Sequence, residues 1–132
     1  MKTPKWYIAN LITHPVIKDP KTKKIIKYKK YSYCDNLTLI KAKNSEAAYK
    51  KALVFGKDME HRYINTDDEI VESRFDGVAE LDEVFETLED GNQITYSQGF
   101  VKNLTDIKRL IPKKENLRGI AWERNISLEK KK

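Results

Sequence analysis

Few side chains in the sequence are of the types that carry nucleophilic or metal chemistry: one cysteine, Cys34, and two histidines, His14 and His61. Nucleophilic catalysis needs a nucleophile, a base and an orienting group held together. Cys34 follows the aromatic segment 31–33, which favours a buried structural thiol. The three residues also lack the short spacings of metal ligands. The sequence therefore predicts a protein that is not an enzyme and holds no metal or cofactor.

Two further patterns that carry chemistry are also missing. The acids around 67–72 do not follow the alternate-position spacing and the turn glycine of a calcium loop. The five glycines are isolated from one another, so no glycine-rich phosphate loop is present. The acids are better explained as a solvated turn and the outer face of a strand.

Charge is sorted along the chain, although the formal net charge is only +6. Residues 1–43 hold 11 Lys/Arg against 2 Asp/Glu, whereas residues 57–101 hold 3 against 13. Residues 102–132 are basic again, with 10 against 4. An acidic middle between two basic arms predicts surfaces of opposite sign, and such surfaces steer charged partners.

The acidic middle is the leading candidate for a binding surface. Its acids would cover a basic protein surface, and the alternative is a solvated face with no partner. The candidate partner-binding residues are Asp67, Asp68, Glu69, Glu72, Glu80, Asp82, Glu83, Glu86, Glu89 and Asp90.

The basic N-terminal arm offers a second interpretation, binding of nucleic acid by the Lys/Tyr-rich segment 18–33. Lysines on phosphates with tyrosines under bases form a plausible surface for it. The candidates are Lys21, Lys23, Lys24, Lys27, Tyr28, Lys29, Lys30 and Tyr31. Residues 1–61 contain no arginine, the usual reader of guanine and phosphate, so a solubilising edge strand is the competing explanation.

Apolar periodicity locates the elements that would position these residues. Ala48, Ala52, Phe55 and Met59 form a helical stripe over 45–60, which Asn44-Ser45 can cap. Alternation and turn residues predict five strands, over 5–13, 24–33, 37–42, 69–75 and 93–100. A short acidic helix is predicted over 81–88 and another over 105–111. Trp122 is expected in a further strand or docked on the core.

This order of elements predicts an α+β fold with a single, mostly antiparallel sheet of about five strands. The main helix (45–60) packs on one face, and short helices follow near the C-terminus. At 132 residues the chain fits a single domain, 1–132, with its core in 5–111 and a partly irregular tail in 113–132.

The sequence resembles a family of small bacterial domains of unknown function. The resemblance rests on Trp6-Tyr7, the strand end 39–42, the helix pattern 45–56 and Phe75-Asp76-Gly77-Val78, and it covers roughly residues 5–100. It implies the α+β fold. Small domains of this sort resemble immunity proteins that neutralise bacterial toxins, which implies a non-enzymatic protein-binding module.

The expected partner is therefore a protein, such as a basic toxin domain, with nucleic acid as the alternative. No apolar run is long enough to span a membrane, and no apolar signal segment follows the basic start of the chain. The expected location is the cytoplasm.

Overall fold

The structure is a computed structural model that describes residues 3–130, with side chains described as far as residue 126. It contains two compact units, one ending at Tyr96 and one beginning at Ser97. The first unit holds one antiparallel sheet built from β1 (Lys5–Lys18), β2 (Cys34–Ala42), β3 (His61–Ile64) and β4 (Ile70–Glu83). The order across this sheet is β2-β1-β4-β3. The predicted α+β class and antiparallel sheet are confirmed, with four strands in the described residues rather than about five.

Helix α1 (Ser45–Asp58) packs on one face of the sheet, as predicted. Asn44 caps it, because the Asn44 side chain accepts a hydrogen bond from the Ala47 N–H at 2.8 Å. Ala48 and Ala52 are fully buried against the sheet. Residues this small let the helix axis come close to the strands.

The core lies between α1 and the sheet. Alternate residues of β1 point at the helix, and they meet the apolar residues of β2 on the same face. The buried cluster is Tyr7, Ala9, Leu11, Ile40, Ala42, Ala48 and Ala52. The opposite side of the sheet, which we call the second face, carries Trp6, Ile8 and Asn10 of β1 with their cross-strand partners.

Strand β1 runs through Pro15, where the sequence predicted its end. The last β1–β2 pair is Thr13 with Cys34, so β1 continues beyond it with β4 on one side. A missing N–H at Pro15 therefore removes no bond to β2, and proline is tolerated at such positions.

Strand β4 contains two irregularities that a simple alternation does not predict. Its register against β1 shifts between Asn10 and Leu11 and again between Ile12 and Thr13. Each shift inserts one extra residue, which is the definition of a β-bulge. Phe75, Val78 and Leu81 therefore all reach the core, although they are three residues apart.

The predicted acidic helix over 81–88 is wrong. Residues 81–83 belong to β4, and residues 84–104 have no regular helix or strand. Leu81, Val84, Phe85 and Leu88 repeat in a stripe at helical spacing, but the strand pairing of β4 continues to Glu83 and takes Leu81 into the sheet. Phe85 and Leu88, placed in that stripe, are 83% and 87% exposed. The last predicted strand, over 93–100, is also wrong, because these residues form no strand.

The predicted strand over 24–33 is also wrong. Asp19 closes a turn after β1 by accepting hydrogen bonds from the main chain of Lys21 and Thr22, at 2.8 and 3.0 Å. After it, Ile25 forms one bridge with Lys18, and the chain then leaves the sheet. Lysines and exposed tyrosines bury too little apolar surface to hold a full strand in place.

The second unit contains α2 (Thr105–Lys108), a 3₁₀ turn (Lys114–Asn116) and α3 (Arg118–Lys130). Helix α2 begins at Thr105, as predicted, but it ends at Lys108 rather than near residue 111. Trp122, expected in a strand or docked on the core, lies in α3 and is 64% exposed. None of the described helices is both long and apolar enough to cross a membrane.

Candidate functional site

Two depressions in the first unit are lined mainly by apolar surface. The larger, about 790 Å³, lies between the end of β1, the lysine-rich loop of residues 19–33 and the β3–β4 turn, and we call it the tyrosine cleft after Tyr28 and Tyr31. The smaller, about 520 Å³, lies at the opposite end of β1, and we call it the acidic groove. The acidic groove is lined by Pro4, Lys5, Trp6, Leu39, Glu83, Val84, Phe85, Glu86, Thr87, Leu88 and Ile94.

The ten predicted partner-binding acids do not form one surface. Asp67, Asp68 and Glu69 lie in or beside the β3–β4 turn, and two of them line the tyrosine cleft. The other acids, apart from Glu72, lie at or beyond the far end of β4. These are Glu80, Asp82, Glu83, Glu86, Glu89 and Asp90.

Near the acidic groove, the acids surround apolar side chains. Glu83 and Glu86 line the groove itself. Glu80 and Asp82 lie on the second face, where they pair with Asn10 and Ile8 of β1. Glu83 is partly neutralised, because its carboxylate lies 3.4 Å from Lys5 Nζ. Glu86, the other acid of the lining, makes no ion pair with the residues that the structure describes, so it keeps a negative charge at the groove. Lys41 Nζ, close to the Trp6 ring, adds a positive charge nearby.

Glu72 is occupied by structural partners. Its carboxylate accepts hydrogen bonds from Lys18 Nζ at 3.0 Å and from Arg74 at 2.6 Å. These two cations lower the pKa of Glu72 below its ordinary range, the Lys18 hydrogen bond contributing most. Glu72 therefore holds strand β4 and is not free to bind a partner without losing both contacts.

The tyrosine cleft brings together residues from both predicted sites. Tyr28, Lys30 and Tyr31 of the nucleic-acid set line it together with Asp67 and Glu69 of the acidic set. Lys21, Lys23, Lys24, Lys27 and Lys29 are exposed outside the cleft lining. Acidic side chains in one wall oppose the entry of a phosphate, so the cleft is not a purely basic surface.

The residues considered for catalysis are placed apart. Cys34 is exposed, so the predicted buried thiol is wrong. It pairs with Thr13, which lies on the helix face of β1, while the neighbouring His14 points to the opposite face. His14 Nδ1 lies 2.6 Å from an Asp76 carboxylate oxygen, and His61 Nδ1 lies 3.0 Å from the Met59 carbonyl oxygen.

The pair of His14 with Asp76 has no signal in the sequence, because the two residues are 62 positions apart. Asp76 lies at a bulge of β4, and no simple strand register predicts its direction. Within the described residues, no three His, Cys, Asp or Glu side chains are grouped so as to hold a metal ion.

The apolar residues of the acidic groove were also missed as site residues. Trp6 was assigned to a strand, which is correct, but it is 44% exposed with Lys41 Nζ 5.5 Å from its ring centroid. Phe85 and Leu88 were assigned to the apolar stripe of the predicted helix over 81–88. A negative charge run that interrupts an apolar pattern was the available signal that this segment stays at the surface.

One family comparison gives a match. Residues 6–96 match the family DUF4288, described as a domain of unknown function, and this range covers more than half of the chain. No curated protein and no solved structure matches the chain. The match confirms the resemblance to a domain of unknown function, while the relation to immunity proteins stays a prediction. The chain therefore belongs to the DUF4288 family of domains of unknown function.

Proposed function

We propose that the protein is a non-enzymatic binding module that holds a basic protein surface in the acidic groove. The specific role we propose is that of an immunity protein, which neutralises a basic toxin domain. The observation that supports this proposal is the groove itself, where exposed Trp6, Phe85 and Leu88 lie beside Glu83 and Glu86.

The chemistry of the groove fits an interface with a protein. Large aromatic side chains with charged neighbours dominate the energy of such interfaces, because they lose much apolar surface to water-excluding contacts. Phe85 is 83% exposed in the free chain, so a partner that covered it would bury a large apolar area. The acids around it would speed association with a basic partner and select against acidic ones.

The experiment that tests the proposal starts from photo-crosslinking. A benzoylphenylalanine residue replaces Phe85 in cells of the natural host, with the same residue at Tyr63 on β3 as the matched control. The partner that the crosslink captures is then identified and purified on its own. Its affinity for the unchanged chain and for the variant is measured by calorimetry. We expect Phe85→Ala to weaken binding by about 30-fold, the typical loss at an interface hot spot. Equal affinity of the variant and the unchanged protein would contradict the proposal.

Charge is tested with a pair of double variants that change the net charge equally. We expect Glu80→Lys/Glu86→Lys to lower the association rate by about 10-fold at low salt, and the loss to shrink as salt rises. Glu46→Lys/Asp58→Lys, on α1, is the control and should have a much smaller effect. The immunity role would be supported if cells that express the partner stop growing, and cells that express the partner together with this chain continue to grow.

A second candidate function is binding of single-stranded nucleic acid by the segment 18–33. It is favoured by exposed Tyr28 (45%) and Tyr31 (68%) lying among exposed lysines. Stacking of bases on tyrosine with lysines on phosphates is the chemistry of such surfaces. Fluorescence anisotropy with a labelled oligonucleotide tests it, since Tyr31→Ala should weaken binding by about 10-fold. No binding by the unchanged protein at low salt would eliminate this candidate.

A further inference from the structure

The outer edge of β2 is the longest sheet edge that has no partner strand in the described residues. Strand β2 is nine residues long and lies at one end of the order β2-β1-β4-β3. β3, at the other end, has only four residues. An unpaired edge presents a row of main-chain N–H and C=O groups, which is a template for another strand. The edge contains neither proline nor glycine.

Two hydrogen bonds show which residues of β2 turn their main chain outward. The Lys41 carbonyl accepts from Lys51 Nζ at 2.6 Å, so it points away from β1. The carbonyl of its partner Trp6 accepts from the Val84 N–H at 2.8 Å, on the β4 side. Because main-chain direction alternates along an antiparallel strand, Leu39, Leu37 and Asp35 also turn outward.

The side chains of these residues share one face of the sheet. Asp35, Leu37, Leu39 and Lys41 alternate with the residues that face the helix, so they lie on the second face. Leu37 and Leu39 are 67% and 57% exposed. These four residues read Asp-x-Leu-x-Leu-x-Lys, with Thr38 at the centre.

This pattern is complementary to itself in the antiparallel direction. If two copies of β2 pair about a two-fold axis at Thr38, Asp35 of each copy lies opposite Lys41 of the other. Leu37 of each copy then lies opposite Leu39 of the other. Opposite charges and paired leucines in directly facing positions each stabilise an antiparallel pair. The outward main-chain groups of these same residues form the hydrogen-bonded pairs of the ladder, and Lys51 Nζ gives up the Lys41 carbonyl to the Asp35 N–H of the other copy.

We propose that β2 pairs with β2 of a second copy of this chain, so that two four-stranded sheets join into one continuous sheet in a two-fold symmetric dimer. Isologous two-fold contact is the commonest form of homodimer. The pairing places four exposed leucines together on the second face. The pairing borders the acidic groove, because Leu39 belongs to both surfaces, although it needs none of the acids of that groove.

The interface is a single pair of strands, so it is small by the standards of permanent dimers. We expect a dissociation constant on the order of 10 µM, which is typical of a limited buried area. Analytical ultracentrifugation of the full chain from about 1 to 300 µM measures it. A chain that stays monomeric throughout this range would overturn the proposal.

Crosslinking tests the position of the symmetry axis. In the proposed register Thr38 faces itself in a non-hydrogen-bonded pair, where the Cα atoms are about 4.5 Å apart, within the range of a disulfide. We expect Thr38→Cys in a Cys34→Ser background to crosslink almost completely when copper–phenanthroline takes two electrons from the two thiols. The unchanged chain is the control, because its two Cys34 residues would lie about 27 Å apart. Equal crosslinking of both proteins would refute the register.

A charge swap tests the facing pairs and guards against a variant that merely fails to fold. Asp35→Lys places two lysines opposite each other at both ends of the pair and should weaken the dimer about 10-fold or more. Adding Lys41→Asp restores opposite charges and should restore dimerisation. A double variant that circular dichroism shows to be folded, and that dimerises no better than Asp35→Lys, would exclude this pairing. Tyr63→Ala, on β3 at the opposite edge of the sheet, should leave the dimer unchanged.

Discussion

At the scale of single residues, Gly56 is required by contact and not by backbone conformation. It is a buried helical residue of α1, and a Cβ atom at this position would overlap the ring of Phe75 on β4. Glycine otherwise costs a helix about 1 kcal/mol relative to alanine. The close approach of helix and bulged strand therefore explains why the weaker helix former occurs here.

We expect Gly56→Ala to destabilise the protein by about 1–3 kcal/mol, because the ring of Phe75 must shift within a packed core. Urea denaturation measures the change. Gly119→Ala in α3 is the matched control, since nothing lies near its added Cβ, and it should be neutral or slightly stabilising. A gain of stability at Gly56 equal to that at Gly119 would show that helix and strand are further apart than described.

A second prediction at this scale concerns Glu72. Its pKa is lowered in the folded state by hydrogen bonds from Lys18 and then Arg74. The folded chain therefore binds fewer protons than the unfolded chain in mild acid. The stabilisation is complete above about pH 4.3, the ordinary pKa of glutamate, and is lost as the pH falls through the lowered value.

We expect Glu72→Gln to be less stable than the unchanged protein at pH 7, with the difference narrowing below about pH 4. Urea denaturation from pH 3 to pH 7 provides the measurement. Glu115→Gln, an exposed residue of the second unit, is the control. Two parallel stability curves for Glu72→Gln and the unchanged protein would contradict the role of this carboxylate.

At the scale of elements, the end of β4 at Glu83 lies between two apolar residues that differ in burial, Leu81 and Phe85. Leu81 packs against the core cluster, whereas Phe85 is 83% exposed beyond the end of the strand. We expect Leu81→Ala to destabilise the protein by about 2 kcal/mol and Phe85→Ala by less than about 0.5 kcal/mol. Thermal denaturation of both variants measures this difference. Equal losses would mean that residues 81–88 form the helix that their spacing imitates.

The elements that could be predicted from the sequence are those with an uninterrupted period. The stripe of Ala48 and Ala52, with Asn44 as its cap, located α1 to within two residues of each end. The start of β1 and the end of β2 were also correct, at Lys5 and Ala42. The four-residue β3 was missed because all its residues are exposed and show no apolar alternation.

The candidate site could be predicted only in part, because a site depends on tertiary arrangement. The acids of 80–90 were recognised from their charge, but their apolar neighbours were assigned to the stripe of a helix that does not form. The sequence could not show that Glu72 is held by Lys18, since these residues are 54 positions apart. The contact of Tyr31 with the same cleft as Asp67 likewise depends on a loop that leaves the sheet.

At the scale of the whole molecule, the family match and the first compact unit end at the same residue. The match covers residues 6–96, and the unit ends at Tyr96. We expect a chain that stops after Tyr96 to unfold cooperatively, with sheet content retained in its circular dichroism spectrum. The full-length chain is the control. A gradual unfolding transition would show that the unit needs residues 97–132 to fold.

The sheet order has a consequence for how fast the chain folds. The central seam joins Tyr7 to Glu83 and Lys18 to Ile70, so its two strands lie far apart in sequence. Closing such a long loop costs entropy before any of its contacts is made, which slows folding relative to proteins with local contacts. The β1–β2 and β3–β4 hairpins have shorter loops, and we expect them to form before the seam that unites them.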